Sequence, residues 1–204
     1  MAAARSPHRA RASPRPTRRP ILVAGSCASA RAARRIYAGL SLVAIEEGDL
    51  PAAADLAEVS EGLLDAASDP SAAAWAAHRR AMIALRRGRV EEASVHLAAE
   101  AAAAEASGRP EDLAAAALVA GRIAVAQGDL ASAEAELSRA VAAFERCGDE
   151  HGLARALDDL GGVLHGLGRE AESEGCIERA AELLGRIGLV DGRLFGTLWR
   201  SGSW

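Results

Sequence analysis

The residue types able to do chemistry are present but scattered. The five histidines (His8, His78, His96, His151 and His165) never fall into HExxH or another metal-ligand spacing. The three cysteines, Cys27, Cys147 and Cys176, are odd in number and far apart, which reads as isolated thiols rather than a metal site or disulfide frame. Acid pairs such as Glu46-Glu47 and Glu91-Glu92 sit where helix ends are expected and read as solvated faces or dipole complements. Gly161-Gly162 and Gly166-Gly168 are glycine-rich, yet no strand precedes them and no GK[ST] follows, so they do not make a phosphate loop. One cluster has a definite chemistry: Arg79, Arg80, Arg86, Arg87 and Arg89 could grip a carboxylate or phosphate, or form a solvated face beside Glu91 and Glu92. No nucleophile, base and orienting partner share a spacing, so the expectation is no enzyme, no cofactor and no metal.

The elements that carry these residues are legible from composition and period. Alanine is a quarter of the 204 residues and aromatics are 3%, which favours closely packed helices over strands. All basic residues are Arg, and they are unevenly placed. Residues 1–45 hold nine Arg and no acid, whereas the remainder holds fifteen Arg against all 28 Asp and Glu. An acidic body argues against nucleic-acid binding. No run of about 18 apolar residues offers a membrane helix, and cysteine usage fits a cytoplasmic location. Residues 1–20 hold four of the seven prolines. Residues 1–29 are therefore expected to be a disordered Arg/Pro-rich tail; a transit peptide or an upstream start would share that composition.

The body repeats every 40 residues. Gly48, Gly88, Gly128 and Gly168 form one column; Ser68, Gly108, Gly148 and Gly188 a second; Ala53, Ala93, Ala133 and Ser173 a third; Ala57, Leu97, Leu137 and Ile177 a fourth. Each unit resolves into two helices of about 15–17 residues joined by turns of about three. Glycine is expected to end each first helix in the left-handed conformation. The expected architecture is all-α, with units at about 30–69, 70–109, 110–149 and 150–190. Residues 191–204 are left as a capping segment, in which Leu194-Phe195-Gly196-Thr197-Leu198-Trp199 could instead make a homodimer contact.

Helix, glycine turn, small residue and apolar residue, with Ser41, Ala81, Gly121 and Gly161 at the helix crossing, resemble tetratricopeptide (TPR) repeats. The phrases IAVAQGDLASAEAELSRAV and FERCGDEHGLARALDDLGGVLHGLGRE are similar to the helical sensor arms of LuxR-type and SARP-type bacterial regulators, though the chain has no P-loop and no DNA-reading helix-turn-helix. The resemblance implies a right-handed α-solenoid whose first (A) helices line a concave, protein-binding face. In this register the concave stripe passes Arg35, Ala38, Leu42 and Ile45, then Trp75, His78, Met82 and Leu85. It continues through Ala115, Leu118, Arg122 and Val125, then Arg155, Asp158, Gly162 and His165. Arg35, Trp75, His78, Met82, Leu118, Arg122, Arg155, Asp158 and His165 are the candidate binding residues, suited to a peptide with one apolar anchor and one or two acids. The chain has no Asn, so the Asn-dependent carboxylate clamp of some family members does not carry over. The alternative is a small-molecule-sensing arm that passes its signal to a transcription partner.

Overall fold

The computed structural model describes residues 27–65 and 68–187. The expected tail at 1–29 lies almost wholly outside them, and the segment 191–204 entirely so. The described residues form eight helices: α1 (Cys27–Glu47), α2 (Leu50–Glu61), α3 (Pro70–Arg86), α4 (Val90–Ser107), α5 (Pro110–Ala126), α6 (Leu130–Cys147), α7 (Glu150–Gly166) and α8 (Glu170–Arg186). They pack as sequential hairpins, α1 with α2 through α7 with α8, which makes four TPR-like repeats. No described helix is long and apolar enough to cross a membrane.

Local chemistry explains the boundaries. Gly48, Gly88, Gly128 and Gly168 all take positive φ, and at Gly128 the backbone closes a Schellman cap: Gly128 N–H donates to Val125 O and Asp129 N–H to Ala124 O, each at 2.9 Å. The next residue starts the following helix. Asp129 accepts from the Ser132 amide at 3.0 Å, and Asp49 from the Ala52 amide at 3.1 Å. Gly-Asp thus ends one helix and begins the next within two residues. One boundary differs from expectation: α2 has only 12 residues. Ser68 stands where Gly108 and Gly148 adopt positive φ, and no described residue other than glycine takes that conformation. α2 ends instead at Glu61, capped by Gly62 in the right-handed conformation, before that column is reached.

Helix crossings use the small-residue columns. Ala53, Ala93, Ala133 and Ser173 are all buried. A Cβ on Gly121 would sit 2.6 Å from Leu137 Cγ, so the pair α5–α6 is as close as glycine allows. In the outer repeats a serine bridges the same crossing from opposite sides. The Ser41 hydroxyl donates to Ala53 O at 2.8 Å, and the Ser173 hydroxyl donates to Gly161 O at 2.7 Å. Two apolar clusters fill the stack, one centred on Leu137, Phe144, Leu157 and Val163, the other on Ile45, Met82, Ile83 and Val119.

Consecutive A helices touch (α1 with α3, α3 with α5, α5 with α7), whereas consecutive B helices make at most a marginal contact. The layer whose members crowd together is the inner arc of a curved stack, so the A helices line the concave side.

Candidate functional site

The curvature is tight enough to close the concave side on itself. Arg155, near the start of α7, reaches Glu46, at the end of α1, at 3.4 Å across 109 residues of sequence. Glu46 also lies 3.7 Å from Arg86 at the end of α3. One carboxylate from repeat one therefore serves guanidiniums from repeats two and four. Burial pulls the Arg155 guanidinium down to about 10, and neighbouring Arg122 pulls it further in the same direction, while Glu46 works against both.

Beside this contact lies a deeper pair. Arg122 Nε donates to Asp159 Oδ2 at 2.5 Å with side chains only 6% and 7% exposed, and Arg122 Nη1 lies 3.4 Å from Met82 Sδ. Adjacent Asp158 is half-buried. Desolvation raises its carboxyl to about 6, the Asp159 carboxylate adds to that, and Arg122 opposes it. His151 is held below its ordinary value, first by burial and then by Arg155. The concave side thus carries arginines and carboxylates that largely neutralise one another.

A second polar cluster ties α3, α4 and α5 together. His78 Nδ1 and Glu100 Oε1 share a hydrogen bond at 2.9 Å, with both side chains at most 2% exposed. His78 Nε2 and Glu100 Oε2 have no partner among the described residues. Trp75 packs on the His78 ring, centroids 5.0 Å apart, and donates its indole N–H to Asp112 Oδ1 at 2.9 Å. Asp112 accepts a second hydrogen bond from the Ser107 hydroxyl at 2.7 Å.

The expected stripe is therefore not one open surface. Arg35 and His165 are exposed, and Trp75, Arg155 and Asp158 are half-buried. His78, Met82, Leu118 and Arg122 are buried, which corrects their assignment to the contact surface. The reason is geometric. A central A helix is covered by its own B helix, by the preceding B helix and by an A helix on either side, so only a narrow strip faces the groove. His78 turns into the hairpin towards Glu100, Leu118 enters the apolar core, and Arg122 spends its charge on Asp159.

The arginine cluster of repeat two does not converge either. Arg80 pairs with Glu61, Arg86 with Glu46 and Arg89 with Glu92, while Arg87 donates to Leu50 O. Arg79 is buried; its Nη2 donates to the Ser60 hydroxyl at 3.4 Å, and desolvation lowers its pKa. Each arginine leaves the helix in its own direction and meets its own partner. Sequence reasoning missed Asp159 on the concave side, with Glu100 and Asp112 behind Trp75, and placed Glu46 and Arg86 in other settings, a helix-end acid pair and the repeat-two arginine cluster. Only the 40-residue register gives a clue to them: Asp159 stands where the earlier repeats place Gly39, Arg79 and Val119.

Away from the groove, a cavity of about 410 Å³ opens among α6, α7 and α8. Its arginines are already engaged, Arg179 with Glu145 at 2.6 Å and Arg186 with Glu150 at 2.8 Å.

No family model matches the chain, and no curated protein matches it. Six solved chains do. Among them is the crystal structure of BtubC (BKLC) from P. vanneervenii, with a TM-score of 0.56 and 19% identity over 76% of this chain and 64% of that one. The chain thus spans less than two thirds of that protein, and at such identity the likeness is one of fold.

Proposed function

We propose that this protein is a protein-binding scaffold whose concave A-helix strip takes an acidic peptide with one apolar anchor, as part of a bacterial regulatory assembly. It acts by binding and not by catalysis. The observation that carries this reading is the state of Arg155, a half-buried guanidinium with burial against it, whose ion-pair partner is a single carboxylate from three repeats away at 3.4 Å. Such a contact is readily exchanged. A peptide carboxylate entering the groove replaces Glu46 on Arg155, with Arg86 close by to strengthen the same site. In the 40-residue register Trp75 occupies the Arg155 position two repeats earlier, so its half-buried ring lies along the same strip and receives the apolar anchor.

The test is an array of acidic peptides, each with one Leu or Phe, followed by calorimetry on those that bind. Arg155→Ala removes a charge-assisted hydrogen bond and is expected to weaken binding about tenfold or more. Glu46→Gln removes the internal competitor and is expected to strengthen it. An array in which no peptide binds, or two variants that bind as the parent does, would refute the proposal.

A further inference from the structure

Among the described residues, Arg79 is the buried arginine that no carboxylate holds. Arg122, the other buried arginine, pairs with Asp159, and the less buried Arg34 and Arg155 pair with Asp69 and Glu46. Arg79 is only 2% exposed. Its Nη2 donates to the Ser60 hydroxyl at 3.4 Å, a long contact to a neutral oxygen, and its Nε has no partner. Glu61 is near enough to act on Arg79 through its charge, but Arg80 Nε already donates to both Glu61 oxygens at 2.8 Å. Burial lowers the Arg79 pKa, Glu61 works against that, and neighbouring Arg34 lowers it further. The charge nevertheless stays, because a guanidinium keeps its proton in a protein.

Nε and Nη2 lie on one edge of the guanidinium plane. That edge is the fork that receives two oxygens of a carboxylate or phosphate side by side. In Arg79 it holds one long bond and one unfilled donor. The chain's own register shows what is missing. Glu100 stands at the Ser60 position one repeat later, so the place from which a buried carboxylate could answer Arg79 holds a hydroxyl instead. The flank beside the pair is also cut back. α2, α4 and α6 begin at the same register position, yet α2 has 12 residues where the other two have 18. Ser60 thus stands one residue from the end of its helix, and the turns that α4 and α6 continue past this point are missing beside the start of α3.

We propose that the free edge of Arg79 binds a small oxyanion at the junction of repeats one and two. Ser60 supports the site: its hydroxyl donates to Arg34 O at 3.1 Å, which leaves its lone pairs for Arg79. With Arg34 matched by Asp69 and Arg80 by Glu61, the group carries one net positive charge, that of Arg79. A singly charged oxyanion neutralises it and satisfies Nε, and it reaches the guanidinium past the end of α2.

The probes are inorganic phosphate and acetate, each titrated into the full chain against chloride at constant ionic strength. The Arg79 Nε–H signal in a proton–nitrogen correlation spectrum is identified by its loss in Arg79→Leu. It is expected to move downfield and to saturate with a dissociation constant on the order of 1 mM, as two charge-assisted hydrogen bonds allow. At roughly a hundred times that concentration the parent is expected to melt about 5 °C higher than in chloride, and Arg79→Leu less than about 1 °C higher. Arg79→Lys keeps the charge and loses the fork, and is expected to bind about tenfold more weakly. It also removes the Nε–H signal, so it assigns the resonance and serves as the control if Arg79→Leu fails to fold. Saturation by phosphate or by acetate supports the site, and the tighter of the two names the oxyanion class. A signal that neither anion moves, or a melting shift equal in the parent and the folded variant, overturns the proposal.

Discussion

Replacing the buried Arg122–Asp159 pair one partner at a time should reveal how charge is held under the concave strip. The protein's own register supplies the substitutions: Met82 stands at the Arg122 position one repeat earlier, and Val119 at the Asp159 position. Arg122→Met leaves the Asp159 carboxylate buried next to Asp158, with its hydrogen-bonded cation gone. Removing one partner of a buried pair costs about 3–5 kcal/mol. A carboxylate escapes part of that cost by taking up a proton, so about 3 kcal/mol is expected at neutral pH. Asp159→Val strands a guanidinium that stays protonated. Asp158, already half-buried within its field, can turn to serve it, so the expected cost is smaller, about 1–3 kcal/mol. The double variant removes both charges and restores the apolar pairing of the preceding repeat, and should lie within about 1 kcal/mol of the parent. Denaturant unfolding followed by far-ultraviolet dichroism gives the four stabilities. Single losses that add to within about 0.5 kcal/mol in the double variant would refute the reasoning.

Asp158 gives a second test with its sign fixed. Its folded-state carboxyl titrates at about 6, above its unfolded value, so its contribution is most favourable at acid pH and is lost as pH rises to about 6. After discounting for its partial exposure, Asp158→Asn should stabilise the chain by about 1–2 kcal/mol at pH 7–8 and by little at pH 4, read from denaturation midpoints. The glycines divide by what a Cβ would meet. Gly121→Ala should cost about 1–3 kcal/mol against Leu137, although alanine is the better helix former, whereas Gly175→Ala, in open space on α8, should gain about 0.5–1 kcal/mol. At Gly128, where φ is +79°, valine should cost more than about 1–2 kcal/mol, and more than at Gly48 near the end of the array. Equal thermal shifts at those two positions would count against the additive-stack picture.

Much of this protein is determined locally, and for that reason the sequence alone determined it. Four glycines at a 40-residue spacing end the A helices because only glycine takes the left-handed exit without penalty. Asp49 and Asp129 begin the next helices because a carboxylate one residue on can cap the free amides. The crossing columns are small because two helix backbones meet there, a contact made inside a single hairpin. The tertiary structure alone decided which residues of the A-helix stripe see the groove. A 3.6-residue period states which side chains share a face, but not how much of that face the neighbouring repeats cover. His78, Met82, Leu118 and Arg122 share a face with Trp75 and Arg155, yet neighbouring helices bury the first four. The meeting of Glu46 with Arg155 is set by the summed curvature of four repeats, to which each A–A contact adds a small rotation. No local pattern records that sum. The open apolar face of α1 is of the same kind: Ile36, Leu40 and Val43 read as ordinary helix residues until the stack shows that nothing among the described residues precedes them.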